Sequence, residues 1–420
     1  MKRAFASAAM VVALSGSAGA QELSSKIGEL IKFGTCDQAL CLVTGAGTHG
    51  SHFINSAQVA GADLLTFLQS AITSSIASLP ISSTSSGTTF SFVGGAPVAT
   101  RTSAGPIFAE RASTLGKKRV LAGINTSHIA YNKLRGNSTD SIAFNLGHQD
   151  VGNPGLGDPS FENDVIGIDI NMKLSLQVTT AFATYGVTDK LDIGVAVPFV
   201  MATLKGSANG RVYSPTGSVS GFHFFGSAES PSLTATSSVD ESASGIGDIA
   251  VRGKMQIAGN NSRGVAVLGD LRLPTGDSAN FTGAGKTSFS VLLVASGTNG
   301  KLSHHANVGY AARGEGLTNA ILATVGGDYM FNKSATVAAD LLSSFQAGGT
   351  AGNLPPDIDL TSGTVAGSNI PNKKDNPIAL SVGGRFLLGE FTGLANFLVP
   401  VKSGGLQAGL IWTLGIERTF

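Results

Sequence analysis

Apolar and polar residues alternate over the last fifteen positions of the chain, which ends on an aromatic residue, Phe420. Successive side chains of a strand point to opposite faces, so this pattern predicts an extended strand with one apolar face. That face holds Leu406, Ala408, Leu410, Trp412, Leu414, Ile416 and Phe420. Such an end is typical of the closing strand of an outer-membrane β-barrel, where we also expect the barrel-assembly machinery to bind.

The same alternation recurs upstream. In the stretch 166–182, Ile166, Ile168 and Ile170 share one face, and Asp169 and Lys173 lie on the other, which we assign to the barrel interior. The pattern predicts twelve strands in all. They cover residues 119–131, 166–182, 191–201, 248–257, 265–273, 289–295, 302–312, 321–331, 335–345, 378–388, 394–399 and 406–420.

The connections between these strands alternate in length. Tight turns fall near residues 189, 261, 299, 332 and 389, whereas three of the six opposite connections span about thirty residues or more. Short periplasmic turns and long external loops are typical of outer-membrane barrels. We therefore predict an all-β fold, a transmembrane antiparallel up-and-down β-barrel of about twelve strands with a partly helical N-terminal segment. A secreted soluble β-sandwich is the alternative, but it gives no reason for long loops on one side.

The N-terminus indicates export. Lys2 and Arg3 precede an apolar stretch at 4–14 and the small residues Ala18, Gly19 and Ala20, a pattern that predicts a signal peptide at 1–20. No later run approaches the roughly 18 to 20 apolar residues of a spanning helix, so a spanning chain must form a barrel. We expect an N-terminal plug or periplasmic segment at 21–115 and the barrel at 116–420. The predicted location is the outer membrane of a Gram-negative bacterium, with the N-terminal segment and the C-terminus in the periplasm.

The segment 21–115 differs from the barrel in residue spacing and composition. Leu64, Leu65, Phe67, Leu68, Ile72 and Ile76 follow helical spacing, and residues 82–105 are rich in Ser, Thr and Gly. Two alternatives stay open, a periplasmic flap and a plug in the barrel mouth; a twelve-stranded lumen leaves space for a plug. Cys36 and Cys41 are expected to form a small disulfide loop in an oxidising periplasm, with a free pair or a metal half-site as alternatives.

Composition narrows the function classes. Charged residues make up 13% of the chain, against about 25% in ordinary soluble domains, and the net charge is +1. A basic block is missing from the sequence, which argues against nucleic acid as a partner. We find no nucleophile motif beside the lumenal candidates His128 and His305, and no zinc-type ligand spacing. We therefore expect neither an enzyme nor a cofactor or metal.

The predicted lumen is partly apolar. Inward charges of mixed sign favour cross-strand pairing over an ion-selective ring. The apolar inward positions are Leu268, Leu292, Val294, Leu322, Leu342 and Ile411, which we expect to line the solute path. Phe222, Phe224 and Phe225 in an outer loop are candidates for capturing apolar solutes; lipid contact or loop packing is the alternative reading.

Three segments resemble a known family. They are Thr-Tyr-Gly-Val-Thr-Asp-Lys-Leu-Asp-Ile-Gly-Val-Ala-Val-Pro at 184–198, Gly-Ile-Gly-Asp-Ile-Ala-Val-Arg-Gly-Lys at 245–254 and Leu-Arg-Leu-Pro-Thr-Gly-Asp at 271–277. Together with the last strand they resemble the outer-membrane transporters named after the MetA pathway of phenol degradation, over residues 117–420. The resemblance implies a barrel that admits aromatic or other hydrophobic compounds, distantly similar to long-chain fatty-acid channels, and it supplies no catalytic residues. The long segment 21–115 departs from the family pattern.

These observations predict an outer-membrane channel for passive, energy-independent uptake of small hydrophobic or aromatic compounds. Its partners would be outer-membrane lipid and the solute. The alternative is a structural or adhesion barrel at the cell surface with a closed lumen, in which the long loops are the functional part.

Overall fold

A computed structural model of the chain describes residues 22–44, 51–79, 90–93, 96–99, 108–150, 162–217, 223–260, 262–332, 334–349 and 353–420. The predicted signal peptide at 1–20 and the candidate Phe222 lie outside these ranges.

Twelve antiparallel strands form a closed barrel, as the alternation predicted. Each strand pairs with its neighbour in the chain, and the last pairs with the first. The strands are β1 (Val120–Leu134), β2 (Val165–Gly186), β3 (Leu191–Tyr213), β4 (in two parts, Thr234–Ile246 and Ala250–Gly259), β5 (Arg263–Arg272), β6 (Ser288–Asn299), β7 (Leu302–Arg313), β8 (Asn319–Asn332), β9 (Ala335–Ala347), β10 (Ile378–Leu388), β11 (Phe391–Lys402) and β12 (Leu406–Thr419).

The outer surface of the barrel carries an apolar belt. On β3 the exposed side chains Ile193, Val195, Val197, Phe199 and Met201 follow one another on the outward face. Eight residue steps cover about 27 Å of strand, on the scale of the ~25 Å apolar band of outer-membrane barrels. The next outward positions are polar, so the belt ends there and the strand continues beyond it.

Strands β2 and β3 are much longer than a membrane requires. They contain 22 and 23 residues, whereas about 9 to 11 residues cross a bilayer. We call the part of β2–β4 beyond the belt the extension. There Ile168 and Ile170 are buried inside the barrel, while Asp169 and Lys173 point outward. Our assignment of those two charges to the interior is therefore wrong, because the outside of the extension faces water rather than lipid.

Two helices pack inside this extension: α1 (Leu23–Leu30) and α2 (Ser51–Ala77). Their buried side chains join one core cluster with the inward residues of β2 and β3. By length and composition the 25 residues Phe53–Ala77 would suffice to cross a membrane, yet here they pack against the inner face of the barrel. The helices lie at the opposite barrel end from Val120 and Phe420, which are paired with each other. The expectation that the N-terminal segment shares the side of the C-terminus is thus wrong for both helices.

One hydrogen bond and one tight aromatic contact hold α1 and the residues after it against the barrel wall. The Ser237 hydroxyl donates to the Leu30 carbonyl over 2.6 Å at the end of α1. On β3, a Cβ at Gly210 would lie 2.9 Å from the rings of both Phe33 and Phe225. Glycine therefore leaves the space that these two aromatic rings fill.

The resemblance motifs at 245–254 and 271–277 meet where β4 is interrupted. Asp248 accepts hydrogen bonds from the backbone N–H groups of Gly276 (3.0 Å) and Ala284 (2.7 Å). In the loop thus held, the Ala279 carbonyl accepts from the N–H of Ser24, in the first turn of α1, over 2.8 Å. The motif residues therefore connect the barrel wall to the N-terminal helices.

The closing strand contains a break that alternation did not reveal. The β12–β1 register shifts between Gln407 and Ala408 and again between Ala408 and Ile411. As a result Leu406 and Ala408 are buried inside the barrel, whereas Leu410 is exposed on the outside. A bulge adds a residue to one strand and exchanges the faces beyond it, so our placement of Leu406 and Ala408 with the outward set is wrong.

Candidate functional site

A cavity of about 350 Å³ lies inside the barrel, between the C-terminal half of α2 and the inner wall. Ser70 and Ser74 on α2 and Ser78 directly after it border the cavity, and strands β5–β12 supply the opposite side. Five of the six predicted lumenal residues line it: Leu268, Leu292, Leu322, Leu342 and Ile411. The sixth, Val294, is fully buried in a small cluster with Ala112, Ala266 and Leu268.

One side of the cavity is polar. Arg272 and Arg313 stand on either side of Ser288 in one row across β5, β6 and β7, since Ser288 is paired with both. Four residues further along β5 and β6 toward the other barrel end, Leu268 and Leu292 are paired in the same way. The cavity therefore has a cationic end and an apolar end.

Arg272 also contacts the C-terminal end of α2. Its Nη1 and Nη2 atoms donate to the carbonyls of Ala77 (3.0 Å) and Leu79 (2.8 Å), and its Nε lies 3.4 Å from Asp270. The last carbonyls of a helix lack intrahelical partners, so a guanidinium is a suitable cap. Arg313 donates to the carbonyl of Thr318 over 3.0 Å.

The sequence reasoning did not identify Arg313 as a site residue. Its position on β7 has the same parity as His305, which had been considered for the lumen, so the strand pattern alone could have found it. The α2 serines could not be found in this way, because their place depends on the packing of the helix in the barrel.

Residues 108–115, which we call the lumenal segment, run through the barrel between the cavity and the end that carries Phe420. Glu110 lies 3.6 Å from Arg252 and 3.5 Å from Lys254, both on β4. Arg111 forms a buried ion pair with Asp328 on β8.

Two backbone contacts extend this attachment to further strands. The N–H of Ala112 donates to the Ser296 hydroxyl on β6 over 3.0 Å, and that of Leu115 to Asp192 on β3 over 3.0 Å. The segment thus bridges four strands and narrows the lumen between the cavity and the barrel end that carries Phe420.

Other inward charges pair between strands, one pair across neighbouring strands, as predicted, and two pairs across an intervening strand. Arg252 lies directly opposite Asp270, with 2.5 Å between Nε and Oδ2. His305 Nε2 is 2.6 Å from Asp340 on a different strand, and Arg385 pairs with Glu417. The lumenal segment adds partners that strand periodicity does not show.

His128 does not face the lumen. It is paired with Trp412, with ring centroids 5.7 Å apart, while the adjacent pair Ser127 and Thr413 takes the inward face. Its assignment as a lumenal candidate is therefore wrong. Among the residues that the structure describes, no group of three or more His, Cys, Asp or Glu side chains could hold a metal ion.

The described aromatic side chains of the predicted capture loop pack against other residues of the protein. Phe225 is fully buried, with its ring 5.0 Å from that of Phe33, and Phe224 is half-buried on a short strand that pairs with Val43. Between Phe33 and Val43 in the chain, Cys36 and Cys41 are joined by a disulfide with an S–S distance of 2.08 Å. In this conformation Phe225 offers no surface to a solute.

Comparison with known proteins places the barrel in a family. The model of the family described as MetA-pathway of phenol degradation matches residues 166–394, more than half of the chain. The chain belongs to this family. The match covers β2 except for its first residue, all of β3 to β10, and the motifs around Asp248. No curated protein matches the sequence.

Several solved barrels are similar to the chain at low identity. An outer-membrane channel from Pseudomonas putida F1 has 13% identity and a TM-score of 0.42, with 74% of this chain and 98% of that one covered. A Pseudomonas aeruginosa FadL homologue has 12% identity and a TM-score of 0.33, covering 72% and 90%. The toluene transporter TbuX of Ralstonia pickettii has 13% identity and a TM-score of 0.25, covering 73% and 90%.

Proposed function

We propose that this protein is an outer-membrane channel for passive uptake of small hydrophobic or aromatic compounds. The observation that carries the proposal is the leucine-lined cavity inside a closed barrel with a lipid-facing belt. Its volume of about 350 Å³ falls within the range of roughly 300 to 1,000 Å³ for small-molecule pockets. Apolar walls favour apolar solutes, because the free energy of such a solute falls when it leaves water.

Passage requires a local rearrangement. The two helices cover the cavity from one barrel end, and the lumenal segment narrows the lumen toward the other. We propose that the helices and the lumenal segment act together as a plug. The ion pairs of Glu110 and Arg111 then hold the lumenal segment in place. Phe224, which is half-buried, and Phe222, which lies outside the described residues, remain candidates for capturing solute.

Uptake by intact Gram-negative cells provides the test, because small hydrophobic molecules cross plain liposomes unaided. Initial rates for radiolabelled toluene should rise above those of cells without the protein, and rates for sucrose should not. Leu322→Trp fills the apolar side of the cavity and should lower toluene uptake. The matched control is Leu233→Trp, at a position 38% exposed outside the cavity, which should behave as the wild type. Equal rates for toluene and sucrose would contradict the proposal.

One observation favours the alternative, a surface barrel with a closed lumen. The lumenal segment is attached to four strands, and a barrel whose interior serves only stability would look the same. The ion conductance of a variant with a weakly attached lumenal segment distinguishes the channel from the closed barrel. A channel should open in this variant, whereas a permanently filled lumen should stay closed.

A further inference from the structure

We propose that the cationic end of the cavity binds the carboxylate of a hydrophobic monocarboxylic acid, whose apolar body lies against the leucines. This inference rests on the proposed uptake function and specifies the substrate class. It assigns Arg313 as the principal contact and Arg272 as its neighbour. The first ground is geometry: Arg313, Ser288 and Arg272 form one inward-facing row at the cavity wall.

The second ground is the charge balance of this wall. Asp270 contacts Arg252 and Arg272, and Glu110 contacts Arg252 and Lys254. Within the described residues, no carboxylate lies within 4.0 Å of the Arg313 guanidinium. The sequence outside those ranges holds one acidic residue, Asp158, and the stretch 80–107 holds none. A cation is thus left over at the cavity wall.

The third ground is the distance between the two ends. Four residues separate the arginine row from the row of Leu268 and Leu292, which is about 13 Å along the strands. Both arginines and both leucines line the same continuous cavity. A carboxylate of roughly benzoate to octanoate size therefore reaches both ends at once. Guanidinium groups bind carboxylates through charge-assisted, often bidentate hydrogen bonds, and Ser288 supplies a hydroxyl donor between them.

A neutral alcohol can accept only a hydrogen bond at this end, whereas an anion gains an ionic contact in addition. A hydrogen bond to a charged group is strong enough to change binding by about tenfold or more. The cavity should therefore discriminate benzoate from benzyl alcohol, two molecules of nearly the same shape that differ in charge.

Two variants at Ser288 isolate this effect. Ser288→Asp places a carboxylate between the two arginines and occupies the proposed anion site, and it should fold because it adds favourable contacts. Ser288→Asn has nearly the same size and no charge. In intact cells expressing the full-length protein, we expect benzoate uptake to be about tenfold slower with Ser288→Asp than with Ser288→Asn. Uptake of benzyl alcohol should be the same in both.

Arg313 gives an independent comparison. Arg313→Gln should slow benzoate uptake without affecting benzyl alcohol, and Arg313→Lys should keep part of the preference. The matched control Arg211→Gln removes an exposed arginine on the outer surface of the extension and should leave both rates unchanged. Heat-modifiable gel migration verifies folding of every variant. Octanoate and octanol, used in parallel, show whether the apolar end prefers an aliphatic chain.

The outcomes are distinct. If benzyl alcohol enters through the protein and benzoate uptake is equal in Ser288→Asp and Ser288→Asn, the carboxylate site is refuted and the channel stands. If neither molecule enters faster than in cells lacking the protein, the uptake function itself fails and the substrate assignment fails with it. A tenfold loss confined to the acids supports the site.

Discussion

At the scale of single residues, the lumen combines apolar walls with buried ion pairs, and the two parts have different roles. The leucines line the cavity, whereas Arg111 with Asp328 and Glu110 with Lys254 attach the lumenal segment. A buried ion pair contributes little net stability compared with an apolar pair, but removing one partner leaves a charge in a dry environment. Such pairs are therefore sensitive points for opening the lumen.

We expect Arg111→Met to loosen the lumenal segment, because Asp328 loses its guanidinium partner at a cost of about 3 to 5 kcal/mol. In planar bilayers this variant should show a higher open probability than the wild type. The double variant Arg111→Met, Asp328→Leu replaces both charges with apolar groups and should return toward wild-type closure. Conductance that stays absent in the single variant would favour the surface barrel with a closed lumen.

At the scale of elements, periodicity predicted where strands run, but on β2 and at the start of β12 it did not predict which face points inward. On β2 the alternation is regular, yet the apolar set is inside, because α1 and α2 occupy the interior and water surrounds the extension. On β12 a bulge exchanges the faces after Ala408. The first error arises from what lies on each side of the sheet, and the second from a register shift that the alternation of residues does not show.

The lumenal leucines line the cavity because they share the inward face of strands that cross the lipid belt, and their part in a solute path stays a prediction. Leu322 and Leu342 follow the same parity as inward acids on their strands, Asp328 and Asp340, so one pattern identified both. The serines of α2 and the lumenal segment had no such pattern, since their positions follow from folding a separate segment into the barrel.

The packing of the helices against β3 gives a prediction at this scale. Gly210→Val should displace Phe33 and Phe225, whose rings lie 2.9 Å from the position of the added Cβ. We expect looser N-terminal helices and faster proteolysis of the segment before the barrel. The matched control is Gly253→Val on β4, where a Cβ meets nothing within 4 Å. Equal cleavage of the two variants would show that this contact does not hold the helices.

At the scale of the whole molecule, the barrel consists of a lipid-facing part and a water-exposed extension that houses the N-terminal helices. The same outward face of β3 passes from Val197 and Met201 to Lys205 and Ser207, so the membrane boundary falls between these pairs. The Lys205 ammonium pairs with Asp240 on the neighbouring strand over 2.9 Å, with both side chains more than half exposed. An exposed ion pair of this kind fits water and not hydrocarbon.

This division predicts opposite results for one substitution at two positions of a single strand face. Val197→Arg places a guanidinium inside the belt and should destabilise the barrel by about 2 to 4 kcal/mol if the position lies near the bilayer midplane. Ser207→Arg makes the same change on the extension, where water solvates the charge, and should alter stability by less than about 0.5 kcal/mol. Urea unfolding and refolding in phospholipid bilayers measures both. Equal destabilisation would mean that the hydrocarbon reaches Ser207, and equal tolerance that it does not cover Val197. Either result would move the membrane boundary, and with it the height at which the cavity sits relative to the lipid.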